Sequence, residues 1–151
     1  MQASGFGVWQ VLPLGLPLAG LSPYQCASAF AVNPALFPDN AQAEPAGFAA
    51  WHQAQAHWLD DFALFMVIKQ IEGGKSWTDW PAPLRDREPA ALRNFTARHA
   101  PAINAIMHSQ YRALVYWQEV RRQAARRGIR IFGDMPLFVA HDSADVWANR
   151  A

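Results

Sequence analysis

The chain has 151 residues, of which 52% are hydrophobic, 13% aromatic and 17% charged. That is enough for one ordinary domain with a real core, and too apolar for a disordered segment. A net charge of +1 gives no electrostatic pull towards nucleic acid or anionic lipid, so neither is expected as a partner.

In chain order, residues 8–14 form a short apolar run between glycines, cut by Pro13, which predicts a buried strand ending near Leu12. The stretch 8–21 could mimic the apolar part of an export signal. Nothing basic precedes it, however, and Gln10, Pro13 and Pro17 interrupt it, so a cytoplasmic protein is expected. No run approaches the ~18 apolar residues of a membrane span. Residues 16–40 are rich in proline and small residues and show no period; this reads as an ordered loop, and long loops in compact domains are usually functional. Within it lies the single cysteine, Cys26, which excludes an internal disulfide, fits a reducing compartment and reads as a small packed thiol.

Residues 48–72 carry apolar side chains at Trp51, Trp58, Phe62, Phe65 and Met66 and stop at Gly73-Gly74, the pattern of an amphipathic helix with a glycine end. Residues 76–80 predict a single turn halted by Pro81 and Pro83. A shorter helix is expected over 88–95. A second long one follows over 101–127, with Ile103, Ile106, Met107, Leu114, Trp117 and Val120 on its apolar side and Gly128 past its end. Arg121, Arg122, Arg126 and Arg127 near that end favour the helix dipole and read as a solvated helix terminus. Residues 129–132 then form a β-rich run opening onto Gly133-Asp134. The order strand, loop, helices, strand, loop predicts parallel strands joined by a helical crossover, hence an α/β fold. Two such strands do not make a closed sheet, so the chain reads as a piece of something larger, prone to aggregate through unpaired edges.

In α/β folds, ligands collect at the carboxyl ends of the strands. Ser22-Pro23-Tyr24-Gln25 follows the first run, and Gly133-Asp134-Met135-Pro136 follows the second. A carboxylate closing an apolar strand is costly to bury unless a cation, a donor or a substrate hydroxyl meets it. Asp134 is therefore read either as a site residue or as a structural cap or arginine partner. Tyr24 offers an apolar face with a polar tip, which suits a sugar ring as well as loop packing. Residues 142–147 read as a helix start with Asp142 as N-cap, Asp145 at N3 and Trp147 packed inward. His141 beside Asp142 has no third ligand at usable spacing, so no metal is expected. No cofactor is expected either: no Gly-rich phosphate loop, G-x-S-x-G elbow or CxxC is present, which leaves a nucleotide-binding reading without a fingerprint.

The segments "WQVLPLG" and "LSPYQCASAFAVNP", then "GDMPLFVAHDSADVWANR", closely resemble the 4-α-glucanotransferases (amylomaltase, or disproportionating enzyme) of glycoside hydrolase family 77. "DDFALFMVIKQIEGGKSWTDWP" and the pattern W-Q-x-x-x-x-x-A-x-x-x-G-I from Trp117 to Ile129 are similar to the same family in the same order. The resemblance implies part of a (β/α)8 TIM barrel, about strands 2 and 3, with a helical insertion between them. It divides the chain into a strand and substrate loop over about 8–40, the insertion and crossover over about 41–127, and a second strand and loop over about 128–151. It implies transfer of α-1,4-glucan segments to the 4-hydroxyl of glucose or a maltooligosaccharide through a retaining double displacement.

Residue by residue, the resemblance implies that Tyr24 stacks on the donor sugar, that Ser22 contacts the glucan and that Asp134 hydrogen-bonds the sugar. The nucleophilic aspartate of the family's Arg-Ile-Asp-His-like segment, the acid/base glutamate and a third essential aspartate have no counterpart here, so no catalytic residue is expected in this chain. Leu18-Ala19-Gly20-Leu21 replaces the Gly-Tyr-Gly-Asp-like segment whose tyrosine serves a second, remote glucan site, and Val32 stands where glycine is usual. The alternative reading is a non-catalytic glucan-binding module.

Overall fold

The computed structural model describes residues 5–38 and 46–150. The loop-to-insertion boundary expected near residues 40 and 41 lies outside them. Among the described residues the sheet has two short strands, β1 (Val8–Gln10) and β2 (Arg130–Phe132), paired parallel with Trp9 opposite Ile131. Also among the described residues are four α-helices: α1 (Phe48–Ile71), α2 (Ala82–Arg85), α3 (Pro89–Arg126) and α4 (Ala144–Ala148). The fold is α/β, as the alternation of elements predicts, with parallel strands and a helical crossover between them.

Glycines set the ends of both long helices. After α1, the Gly74 amide donates to the Lys69 carbonyl (2.8 Å) and the Gly73 amide to Gln70 (3.2 Å), with φ +68° at Gly73. After α3, Ile129 donates to Ala124 (2.9 Å) and Gly128, at φ +65°, to Ala125 (3.0 Å). Both ends are Schellman motifs, in which a residue in the left-handed region turns the chain out of the helix and satisfies its last carbonyls. Gly128 thereby delivers the chain straight into β2.

The two helices expected over 88–95 and 101–127 are one element, bent at His99 (φ −114°, ψ 18°). Pro101 accounts for the bend, since it has no N–H to give the Ala97 carbonyl and its ring crowds that turn. The turn expected over 76–80 is a 3₁₀ turn at Trp77–Asp79. Pro81 and Pro83 do not merely halt it: they open α2, where Pro81 is the N-cap and Pro83 falls in the first turn.

The first strand differs from expectation. It ends at Gln10 rather than near Leu12, and it is exposed rather than buried. An apolar strand is buried only when layers cover it, and among the described residues the cover seen beside Trp9 and Ile129 is one face of α3, through Tyr116, Val120 and Ala124. The amphipathic reading of α1 is likewise too narrow. Leu59, Phe62, Ala63, Leu64, Phe65, Val67 and Ile68 are all buried, so the second half of the helix is enclosed on most sides. It forms the centre of the core, with Ile103 and Met107 of α3, Trp77, Trp80 and Trp147 around it.

Trp147 is fully buried. Its ring meets Phe65 and Trp80, its indole N–H donates to the Leu84 carbonyl (3.1 Å), and the Arg87 guanidinium lies 4.3 Å over its face. Trp147→Ala should therefore destabilise the fold by about 3–5 kcal/mol, measured as the shift in urea-unfolding free energy.

The stretch 16–40, expected as a loop, contains an antiparallel ribbon. Gly15 bridges Val32, Pro17 bridges Cys26, Ala27 donates to Leu16 (2.8 Å) and Leu18 to Gln25 (3.0 Å). The ribbon closes tightly at Gly15, where a Cβ would stand 2.5 Å from Cys26 Sγ. Gly15→Ala should cost about 1–3 kcal/mol through overpacking, and Cys26→Ala in the same chain should restore much of the loss in a thermal melt.

Candidate functional site

Because β1 and β2 are parallel, their carboxyl ends face the same edge, and the loops that follow them meet there. The ribbon after β1 has its tip at residues 18–25, where the Leu21 amide donates to Leu18 (2.8 Å) and the Gln25 amide to Ser22 (3.2 Å). Ser22 Oγ accepts from the Tyr24 amide (3.3 Å), a two-residue serine turn that sets the direction in which the tyrosine leaves the tip. The Ser22 hydroxyl keeps its own proton as a donor.

Across the edge, the Tyr24 phenol donates to Asp134 Oδ2 at 2.7 Å, between residues 110 apart in sequence. Asp134 Oδ1 accepts from the Met135 amide at 2.8 Å, so both carboxylate oxygens are aimed by donors. Both residues are solvent-exposed, with Tyr24 at 39%. The bond to Asp134, more than burial or charge, holds the Tyr24 phenol above its ordinary pKa. An acceptor carboxylate favours the neutral, donating phenol.

The three residues the sequence singles out thus have definite places: Tyr24 and Asp134 touch, and Ser22 orients Tyr24 from beneath. Asp134 is not an arginine partner or a helix cap; it accepts from Tyr24 and from Met135. Cys26 is packed, as expected: it is buried, its thiol donates to the Pro23 carbonyl (3.2 Å), and burial pushes the thiol pKa up, away from nucleophilic character.

The helix start after β2 is corrected by one residue. Ser143, not Asp142, caps α4, accepting from the Val146 amide (3.3 Å), and Asp145 falls one position earlier than N3. Asp142 is drawn elsewhere. It pairs with Lys69 Nζ at 2.6 Å and accepts from the Trp77 amide (3.2 Å), tying the second loop to the end of α1. Asp145 Oδ2 accepts from the Ala29 amide (3.0 Å), and the Ala144 amide donates to the Ala27 carbonyl (2.8 Å). These two contacts lace the loops together behind the Tyr24–Asp134 pair. Trp147 packs inward, and His141 stacks on Trp77. Among the described residues no cluster of three His, Cys, Asp or Glu side chains stands at metal-binding distance. No helix among them is long and apolar enough to cross a membrane.

A groove of about 560 Å³ runs between the loops, with Asp134 in its wall beside Phe30, Met135, Leu137 and Phe138. Phe30 stacks on Trp58 of α1 at 5.7 Å. No sequence pattern pairs Phe30 with Trp58, which lie 28 positions apart. The only signal available was an aromatic residue six positions after Tyr24 in an otherwise small-residue run.

Two loops meeting at the carboxyl edge of parallel strands define an α/β ligand-site architecture, and comparison makes the family specific. The sequence profile of the 4-alpha-glucanotransferase family, glycoside hydrolase family 77, matches residues 1–42 and 36–151, and the chain belongs to that family. It is 36% identical to the 4-alpha-glucanotransferase of Thermus thermophilus over 99% of the chain and 39% of the relative, and 35% identical to that of Synechocystis sp. over 94% and 38%. The structure of amylomaltase from Streptococcus agalactiae in complex with acarbose superposes with a TM-score of 0.82 at 27% identity, covering 93% of the chain and 38% of the amylomaltase. The fold is accordingly part of a (β/α)8 barrel with a helical insertion between two of its strands. The chain spans about two fifths of the length of these relatives.

Replacing the anionic acceptor should release the phenol. In Asp134→Asn the Tyr24 pKa should fall back towards the ordinary tyrosine value. In the unsubstituted chain the bond persists through the usual tyrosine range and is lost only as pH rises through the raised value. Tyrosine ring carbon shifts followed by NMR, with Tyr24→Phe for assignment, read this directly.

Proposed function

We propose that the chain supplies the donor-sugar contacts of a 4-α-glucanotransferase. In this reading residues 1–151 are part of a catalytic barrel domain, and its substrates are α-1,4-glucans and maltooligosaccharides. The same reading has the protein work in the cytoplasm. The observation that carries the reading is the Tyr24–Asp134 hydrogen bond at the shared edge of the two strands, in a chain belonging to this family.

The chemistry follows from the two side chains. A glucose unit has apolar C–H patches on its faces and hydroxyls around its rim, so the Tyr24 ring can cover a face while Asp134 accepts from a rim hydroxyl. With Asp134 held by Tyr24 and the Met135 amide, no carboxylate rotation has to be frozen when the sugar arrives. Ser22 adds a neutral donor from the tip. These groups bind and orient the glucan; they perform no bond chemistry.

The reaction proposed for the whole enzyme is the retaining two-carboxylate exchange. An aspartate attacks the anomeric carbon, a glutamate protonates the leaving oxygen, and the 4-hydroxyl of an acceptor sugar then releases the glycosyl group as the glutamate takes up its proton. Neither carboxylate has a counterpart in these 151 residues. What the residues on hand contribute is a firm hold on the donor sugar, which keeps its reacting carbon placed through both displacements.

Two outcomes are expected. Maltoheptaose titrated into the chain should bind by calorimetry, with Tyr24→Ala and Asp134→Ala each weakening it by at least about tenfold, as the loss of a hydrogen bond to a charged group implies. The chain alone should leave maltotriose unchanged when products are followed by chromatography. Unaltered maltoheptaose affinity in both variants would remove the assignment of these residues.

A further inference from the structure

The ribbon that carries Ser22 and Tyr24 is held at its base by a side chain that no sequence motif announces. Gln110 lies in the middle of α3 and is only 3% exposed. Its Oε1 accepts from the Val32 amide at 2.9 Å and its Nε2 donates to the Val32 carbonyl at 2.9 Å. One side-chain amide thus satisfies both backbone groups of one residue, as a neighbouring strand would. Val32 is the residue that bridges Gly15, and the next residue, Asn33, donates to the Leu14 carbonyl at 2.7 Å. The point Gln110 grips is therefore where the ribbon's two arms come together. From there backbone bonds run through Leu16–Ala27 and Leu18–Gln25 to the tip that bears Tyr24.

We propose that Gln110 is a positioning residue for the glucan site: by clamping Val32 it fixes the base of the ribbon, and so the place of Tyr24 against Asp134. This rests on the functional reading above for its sugar, but not for its geometry. If Gln110 served only to fill space, an apolar side chain of the same size would replace it. If it clamps, removing the two bonds leaves the Val32 amide and carbonyl without their partner, and the ribbon base is free to shift. The other holds on the ribbon come from α4, at Ala27 and Ala29, away from the Val32 end that Gln110 grips.

The test uses Gln110→Met, which keeps the volume and deletes both bonds, and Gln110→Glu, which when ionised keeps the bond from the Val32 amide and repels the Val32 carbonyl. Two quantities are read in the whole chain: the titration of the Tyr24 ring by NMR, and maltoheptaose binding by calorimetry. The expected result for Gln110→Met is a Tyr24 titration moved towards that of an ordinary tyrosine, and binding weakened by about tenfold. Gln110→Glu should shift Tyr24 in the same direction, and it serves as the reading should Gln110→Met fail to fold. A folded Gln110→Met chain with wild-type Tyr24 titration overturns the proposal whether or not sugar binds. A chain in which the titration shifts while the unsubstituted protein binds no maltoheptaose supports the clamp and removes the functional reading instead.

Discussion

A parallel ladder of three residue pairs cannot by itself hold two loops of the size that meet here. The loops are held by the burial of Trp147. The chain leaves β2, passes Asp134, and returns to the protein by sinking this indole between Phe65 of α1 and Trp80, under the Arg87 guanidinium. Burying so large a ring is worth several times a surface hydrogen bond. It fixes α4, and α4 in turn presents the Ala144 amide and the Asp145 carboxylate to the first loop. The Tyr24–Asp134 contact lies in solvent and stands at the end of this sequence of constraints. Remove the anchor and the exposed hydrogen bond has nothing to keep its partners opposed.

The same logic explains why so many charged groups near the site are committed elsewhere. Asp142 is neutralised by Lys69, whose ammonium also donates to the Lys75 carbonyl (3.1 Å), and Asp61 by Arg87. Asp134 differs: its donors are a phenol and an amide, both neutral. With neutral partners only, the carboxylate has lone pairs left to accept from a neutral hydroxyl as well. A cation in that place would compete with such a ligand. A tyrosine shapes the carboxylate without cancelling it.

The ends of the two long helices were legible from residue types because they are written in glycine: Gly73-Gly74 and Gly128 act through the local backbone, and local rules suffice for them. Pro101 reads equally as a helix start or a bend, and only the packed structure makes it a bend within one helix. The loops' role was legible from position, since parallel strands bring their carboxyl ends to one edge. What the sequence withheld are the choices settled between distant parts. Asp142 and Ser143 can each cap a helix; Ser143 does so because Lys69, 73 residues away, claims Asp142. Residues 8–14 have the composition of a buried strand, yet burial depends on what covers them. Gln110 sits among apolar neighbours with the look of a polar intruder, and only its meeting with Val32 gives it a purpose. Val32 in turn occupies a position where the family resemblance implies glycine; its backbone lies outside the left-handed region, so a β-branched residue is accommodated without strain.

The tip of the ribbon carries a sign of conformational cost near the site. Leu21 has φ +55° and is 77% exposed. A leucine gains nothing from either condition: the left-handed region costs an L-residue about 1–2 kcal/mol, and no core receives its side chain. The conformation is imposed from both sides, by the Leu21 amide bonding back to Leu18 and by the serine turn that begins at Ser22 and points Tyr24 towards Asp134. Strain of this kind persists only where surrounding bonds over-determine the backbone. Here those bonds belong to the ribbon that Gln110 clamps and α4 laces. The rigidity of the base thus makes the strained tip sustainable, and the tip's conformation gives the tyrosine its aim.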